Sequence, residues 1–301
     1  MAALAVALDL ALGEPPNRYH PVAWLGRVLG WGHRILCAGR PPWLLVSGAG
    51  LTLGMAALAA LVGAVVAALS AQTGVLGLAL AALALRATLS LRGLGSAARG
   101  VAAALARDDL GEARRLVGRD LVSRSTGALD AAGVASATVE SVAENLADGF
   151  VGPLAFFVVF GLPGAMAYRA VNTADSMFGY REGRLEHFGK VAARLDDLMN
   201  LVPSRIAGIS LVLGAWPAGA RVGAAWATMR RDARRVASPN AGFPMAAMAG
   251  ALGVVLDKIG VYRLGDGPRP GPAEIGRSIR VMGWGAAVAF AGLAALGLWI
   301  G

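Results

Sequence analysis

The sequence predicts an all-α fold: a polytopic integral membrane helical bundle with broken or re-entrant segments and a cytoplasmic helical hairpin. Three observations carry this expectation. Of 301 residues, 56% are hydrophobic and only 16% are charged, against about a quarter charged in an ordinary soluble domain. Charge-free stretches reach the roughly 20 residues that a helix needs to cross a bilayer. Alanine and leucine dominate, and strand-like alternation is absent.

The elements follow in order. MAALAVALDLALG has no basic n-region and carries Asp9 inside its apolar run, which argues against a signal peptide. It is too short to span, so a core or interfacial helix is expected. DLALGEPPNRYHPV is a proline-broken segment whose rigidity suits a lid or pocket wall, with Glu14 and His20 as its polar residues. Trp43–Ser70 holds no charge, and Val281–Ile300 is a second clean span with tryptophans near both ends. Gly74–Leu91 is a third, interrupted only by Arg86. LARDDLGEARRLVGRDLVSRS reads as a soluble helical hairpin. Asp108 or Asp109 would cap its second helix, and Glu112 falls in the first turn, where negative charge suits the helix dipole. The stretches near 150–168, 201–216 and 243–256 are short, and Gly152-Pro153 and Gly161-Leu162-Pro163-Gly164 break the first.

No repeat and no linker divides the chain, so one membrane-embedded domain is expected over residues 1–301. Its clean spans lie at about 43–70, 74–91 and 281–300, a soluble helical insert at about 92–136, and a polar site region at about 140–205. The turn Ser70–Gly74 and the C-terminal end lack Lys and Arg and belong outside. Residues 13–42 and 92–148 then lie in the cytoplasm. The segments 169–200, 221–242 and 257–280 each hold five Lys plus Arg, so the short stretches are expected to dip in and return. Backbone of that kind is permitted at membrane depth where protein or a wet cavity shields it.

Composition also excludes. One cysteine, Cys37, rules out an internal disulfide, and His20, His33 and His187 lack zinc-site spacing. The net charge of +9 is spread over several inter-helix segments, as positive-inside topology requires, and no nucleic-acid partner is expected.

Eight of the 19 Asp and Glu residues fall between 140 and 197. In ESVAENLADGFVGP, Glu140, Glu144 and Asp148 recur every four residues and would share a helix face beside Asn145. In VNTADSMFGYR, Asn172 and Asp175 are three apart. In ARLDDLMNLVPSR, Asp196 and Asn200 are four apart, with Asp197 adjacent. Carboxylates beside amides suit Mg²⁺, which takes one or two carboxylates and completes its shell with water and phosphate oxygens. Lys190, Arg194 and Arg205 could supply the positive charge that phosphates need. The alternative is a set of mutually satisfied buried polar groups and helix caps. Three clusters in a chain short of charge favour function. His187, in RLEHFGK, could bind a ligand or orient a carboxylate, though a lone histidine is more often structural. Ser238 and Asn240, in SPNAG, look like a helix start able to hold an anion, with simple capping the commoner meaning.

The motifs DLALGEPPNRYHPVAWLGR, SVAENLADGFVGPL, YRAVNTADSMFGYR, HFGKVAARLDDLMNLVPSRI and SPNAGFPMAAMAGAL resemble, in order from about residue 8 to 262, the adenosylcobinamide-phosphate synthase family (CobD/CbiB). Glu14 stands where that family's pattern has Asp, and VLDKIGVYRLGDG is more charged than its glycine-rich counterpart. The resemblance implies a cobalamin-pathway ligase of the inner membrane, with its active site facing the cytoplasm. Such an enzyme uses ATP and Mg²⁺ to join the propionate carboxylate of adenosylcobyric acid, by way of an acyl phosphate, to (R)-1-amino-2-propanol or its O-phosphate. On that reading Glu144, Asp148 and Asp175 are expected at the metal. Lys190, Arg194 and Arg205 are expected at phosphates, with Asn145, Asn172, His187, Glu14, His20, Ser238 and Asn240 completing the substrate-binding set. Asp196 or Asp197, with Asn200, would bind a second metal or take the proton of the attacking ammonium. The corrinoid, the aminopropanol, ATP and the lipid bilayer are the implied partners, and other late-pathway membrane enzymes are further candidates.

Two other classes remain open on the residues alone. A membrane prenyltransferase also holds Mg²⁺-diphosphate between Asn/Asp clusters, but at the ends of long clean spans. A transporter or membrane sensor would place its charges inside the spans.

Overall fold

Pro41 and Pro42 open the longest helix at positions where the missing N–H costs nothing. Its 32 residues rise about 48 Å, more than the roughly 30 Å of a bilayer's hydrocarbon. The computed structural model describes residues 1–300 apart from Glu14, Asn17, Arg124 and Ile259. In chain order its elements are α1 (Ala2–Leu12), α2 (Pro21–Leu36), α3 (Pro41–Gln72), α4 (Gly74–Arg86), α5 (Leu91–Ala106), α6 (Leu110–Asp120) and α7 (Ala131–Leu146). A π-helical turn, Ala147–Val151, leads into α8 (Gly152–Phe178), α9 (Leu185–Phe188), α10 (Lys190–Met199), α11 (Leu201–Ala215) and α12 (Val222–Asp232). A 3₁₀ turn, Ala233–Arg235, precedes α13 (Gly242–Leu252), strands β1 (Leu256–Lys258) and β2 (Tyr262–Leu264), and α14 (Pro272–Ile300). Three helical stretches, Pro41–Gln72, Ala131–Phe178 and Pro272–Ile300, are long and apolar enough to cross a membrane. The number rises to five if the pairs α4–α5 and α10–α11 each count as one broken span. The protein is an all-α polytopic membrane protein.

The chain divides into two compact units, residues 1–90, 152–200 and 296–301 forming one and residues 91–151 and 201–295 the other. In the first unit α3 lies along α8, with α2, α9 and α10 packed beside them. Leu29, Leu44, Ala174, Phe178, Phe188 and Ala192 make its core, and His33 stacks on Phe178 at 5.1 Å. The outward side of α3 leaves Val46, Leu53, Leu61 and Leu69 half or more exposed, a ridge suited to lipid. The break expected within 150–168 falls at Gly161. Its φ of 66° is open to glycine, and Pro163 follows it.

The span expected over 74–91 is shorter. α4 stops at Arg86, and its 13 residues rise only about 20 Å. Thr88 Oγ1 donates back to the Leu85 carbonyl at 2.7 Å, the local competition by which Thr and Ser end helices.

In the second unit α5, α6 and α7 pack together, and α13 sits against α7, α11 and α12. All but one of the eleven residues of α13 are buried. A helix this short, rising about 16 Å, and apolar all round is protected by protein on every side. Of the two capping candidates in the hairpin, Asp109 is the cap, its Oδ1 accepting from Glu112 N–H at 2.9 Å. Two short antiparallel strands also occur where none was expected, pairing Leu256 with Leu264 and Lys258 with Tyr262. Side chains from α7 hold this ribbon: Glu140 accepts from the Tyr262 hydroxyl at 2.8 Å, and Ser136 Oγ accepts from Asp257 N–H at 3.1 Å.

Candidate active site

In the first unit α8 and α10 bring polar residues together around Asp196, which is 9% exposed. Its Oδ1 accepts from Asn172 Nδ2 at 3.2 Å and its Oδ2 from Asn200 Nδ2 at 3.0 Å. Asn200 Oδ1 in turn accepts from the Tyr168 hydroxyl at 2.7 Å, and Arg169 Nη1 approaches Asn172 Oδ1 at 3.4 Å. A buried carboxylate is tolerated with partners of this kind. The i, i+4 relation of Asp196 and Asn200 therefore forms as expected, but it ties a knot and leaves Asp196 enclosed.

Asp197 lines a cavity of about 180 Å³ with Tyr180, Arg181, Glu186, Lys190 and Arg194. Three cations thus meet two carboxylates, Asp197 and Glu186, around a small polar chamber. Lys190 Nζ stands 3.3 Å from Glu186 Oε1. α10 begins at this cavity with no side chain capping its first amides, which adds positive dipole to the same place. Gly179 forms part of the wall, and a Cβ there would come within 1.9 Å of Asp175 Oδ1. Glycine is required so that the Asp175 carboxylate can lie against the backbone.

A second cavity in this unit, of about 260 Å³, is lined by Asp9, Gly13, Tyr19, His20, Leu83 and Arg86. His20 Nδ1 accepts from Val22 N–H at 3.2 Å. Burial first, then the charges of Arg169 and Arg86, holds this imidazole below its ordinary pKa. It is therefore neutral at pH 7 and carries its proton on Nε2. Arg86 Nη2 donates to the Gly13 carbonyl. Glu14 lies outside the described residues. His187, half-buried in α9, lines neither cavity.

The second unit holds the remaining candidates in two places. Glu144, Asn145 and Asp148 are half-exposed where α7 passes into the π-helical turn, whereas Glu140 is buried beneath them. The π-turn changes the register, so Asp148 leaves the regular every-fourth-residue row. Asn145 Nδ2 donates to Ser141. At the start of α13, Ser238 Oγ accepts from Asn240 N–H and Ala241 N–H, each at 3.2 Å. Arg205 Nη1 donates to Asn240 Oδ1 at 3.0 Å, and the Arg205 guanidinium lies 4.2 Å over the Phe243 ring. Ser238 thus closes the turn that leads into α13, whose N-cap Ala241 has no side-chain cap, and Arg205 is braced.

Residues 2–282 match the protein family described as CobD/Cbib protein. The chain belongs to the CobD/CbiB family. The cobalamin biosynthesis protein CobD of Dehalococcoides mccartyi is 40% identical to it, covering 89% of this chain and 86% of the relative. A probable cobalamin biosynthesis protein CobD of Methanothermobacter thermautotrophicus is 42% identical over 87% and 85%. The CobD of Rhodobacter capsulatus is 39% identical over 93% and 91%. No solved structure matches the chain. This CobD/CbiB member is accordingly a biosynthetic enzyme of the cobalamin pathway.

Tyr168, Arg181, Arg86 and Asp9 belong to the polar clusters and cavities of this CobD/CbiB chain but were not among the candidate site residues read from sequence. Arg86 had a signal, as the one charge in an apolar run. Tyr168 and Arg181 had none, because their partners are set by packing. Among the described residues no three His, Cys, Asp or Glu side chains converge on one point. Mg²⁺ asks for less, one or two carboxylates with amides, water and phosphate. The oxygen-only chemistry around Gly179, with Asp175 behind the wall and Asp197 in it, fits such an ion.

Proposed function

We propose that the protein joins the free propionate carboxylate of adenosylcobyric acid to 1-amino-2-propanol or its O-phosphate, consuming ATP. A carboxylate is a poor acyl donor. In the first step its oxygen would attack the γ-phosphorus of ATP, giving an acyl phosphate and ADP. In the second, the amine nitrogen would attack the acyl carbon, the C–O bond to phosphate would break, and the nitrogen would lose a proton to leave the amide and inorganic phosphate.

The observation that carries this reading is the cavity where Arg181, Lys190 and Arg194 face Asp197. Cations and uncapped helix amides suit developing phosphate charge, and a carboxylate beside them suits proton removal from the amine. Of Asp196 and Asp197, the reading assigns the base to Asp197, because Asp196 is clasped by two amides. Asp196, Asn172 and Asn200 then position the start of the reaction chamber from behind. Asp175 would hold Mg²⁺, which when bound neutralises phosphate charge. Glu144 and Asp148 remain the carboxylates of the second unit proposed for metal, and Arg205, Ser238 and Asn240 its anion-binding group. The bilayer around α3 and α14 would be the inner membrane, with the site open to the cytoplasm.

The test is amide formation by detergent-purified protein from adenosylcobyric acid, aminopropanol phosphate, ATP and Mg²⁺. Product from the parent, reduced at least a hundredfold in folded Asp197→Ala and Asp175→Ala, is expected. No product from the parent under any of these conditions sinks the reading.

A further inference from the structure

α2 turns only part of its circumference towards the protein. Leu29 and Gly32 are buried, and Leu25 and Leu36 pack on the core of the first unit. Gly26 and Gly30 lie over Met177 of α8, where a Cβ would meet its side chain at 3.9 and 3.6 Å. On the other side Trp24, Val28, Trp31 and Ile35 recur at steps of four, three and four residues, which is one helical face. Each of them is 45–60% exposed. Arg27 and Arg34, also exposed, run seven apart along one edge of that face. Arg18 and Arg40 stand exposed before and after the helix, and no Asp or Glu occurs from Pro15 to Arg40.

An apolar stripe left open along a whole helix marks an interaction surface. The tryptophans say which kind. Their amphipathic rings settle where hydrocarbon meets headgroups, and the arginines beside them attract anionic lipid. An apolar face bearing tryptophan, with cations at its border, is the makeup of a helix that lies in the plane of a membrane surface. Trp43 and Val46, exposed at the start of α3, continue the stripe towards Leu53, Leu61 and Leu69 on the lipid-suited ridge. A second copy of the chain on this face would bring arginine edges together, whereas an anionic headgroup neutralises them.

We propose that α2 docks in the plane of the bilayer surface on anionic phospholipid. Trp24, Val28, Trp31 and Ile35 enter the upper acyl chains, and Arg18, Arg27, Arg34 and Arg40 reach the phosphodiesters. The packing of α2 on α3 agrees with this depth. α3 outruns the hydrocarbon by about 18 Å, or about 12 residues. α2 meets it inside that excess, with Ser47 Oγ donating to the Leu36 carbonyl at 3.2 Å and Gly32 against Leu51. The amide reaction plays no part in this placement.

The test uses the full chain in nanodiscs of phosphatidylcholine and phosphatidylglycerol in equal parts, with either lipid brominated in its upper acyl chain. A fluorophore sits on Val28→Cys in a Cys37→Ser background, and a second preparation carries it on Leu61→Cys. At Val28 the brominated phosphatidylglycerol is expected to associate at least about threefold more strongly than the brominated phosphatidylcholine. That preference should vanish between about 0.05 M and about 0.5 M salt, and in the double variant Arg27→Gln, Arg34→Gln. At Leu61 both lipids should quench equally in parent and variant, which also shows that the variant is folded in the disc. Equal quenching by the two lipids at Val28 overturns the proposal, as does a preference that survives in the double variant. Quenching by neither lipid at Val28 overturns it too, and Val28→Cys disulfides between copies would then give the face to a second chain.

Discussion

A single methyl group tests the wall of the cavity proposed for phosphate. Gly179→Ala would place its Cβ on the Asp175 carboxylate, which must swing away. Amide formation is expected to fall at least tenfold with helical content unchanged, and Asp175→Asn should show a loss of similar size. Asp232 offers a test of stability instead. Its side chain is fully buried and accepts two bonds from Arg231, at 2.8 and 2.7 Å, and one from Gly265 N–H at 2.8 Å. The Arg231 bond first, then the Gly265 amide, pulls its pKa below the ordinary carboxylate value in spite of burial. A depressed folded pKa means stability that is present above the unfolded value of about 3.9 and lost as pH falls through the lower folded value. Asp232→Asn should therefore cost about 2 kcal/mol at pH 7, and thermal melts should show the difference from the parent shrinking below about pH 4. Which residues were candidates was legible here, since every acid in a charge-poor chain stands out. Their division of labour was not. Asp196 and Asp197 are neighbours with one chemistry, and only the amides of Asn172 and Asn200 separate the enclosed one from the one that lines a cavity.

At the scale of elements, local signals held where local physics decides. Asp109 caps α6, and Asp109→Ala should cost about 1 kcal/mol of stability in chemical denaturation. Gly161 and Pro163 break α8 where their backbone preferences require it. The β1–β2 ribbon was invisible because three residues per strand are too few to show alternation. It exists because Glu140 and Ser136 of α7 hold it from outside. Glu140→Ala should speed amide hydrogen exchange across Leu256–Leu264 and lower the melting temperature, the loss of the Tyr262 bond alone being worth about 1–3 kcal/mol. The first of the three stacked acids is thereby structural, while Glu144 and Asp148 remain half-exposed. The π-turn at Ala147–Val151 explains why a strict four-residue row could not continue.

At the scale of the whole molecule, positive-inside topology makes a testable statement. With Cys37→Ser as background, Thr73→Cys is expected to react with a membrane-impermeant maleimide in intact spheroplasts. Glu182→Cys, within the basic 169–200 segment, should react only after permeabilisation. Labelling of Glu182→Cys in intact cells would turn the cavity proposed for phosphate away from the cytoplasm and defeat the proposed orientation.

Composition alone determined the membrane class, because crossing a bilayer demands long charge-free helices that nothing else in a sequence imitates. Motif order alone was enough to indicate the family, and neighbouring residues alone determined caps and kinks, since those forces act within a few positions of the chain. Tertiary structure decided the rest. It closed a cavity over Asp9 and Arg86, 77 positions apart, and it put Asp175 behind Gly179 with Asp197 in the same wall. Cavities and buried pairings depend on side chains that packing brings together from distant segments, and no periodicity along the chain records them.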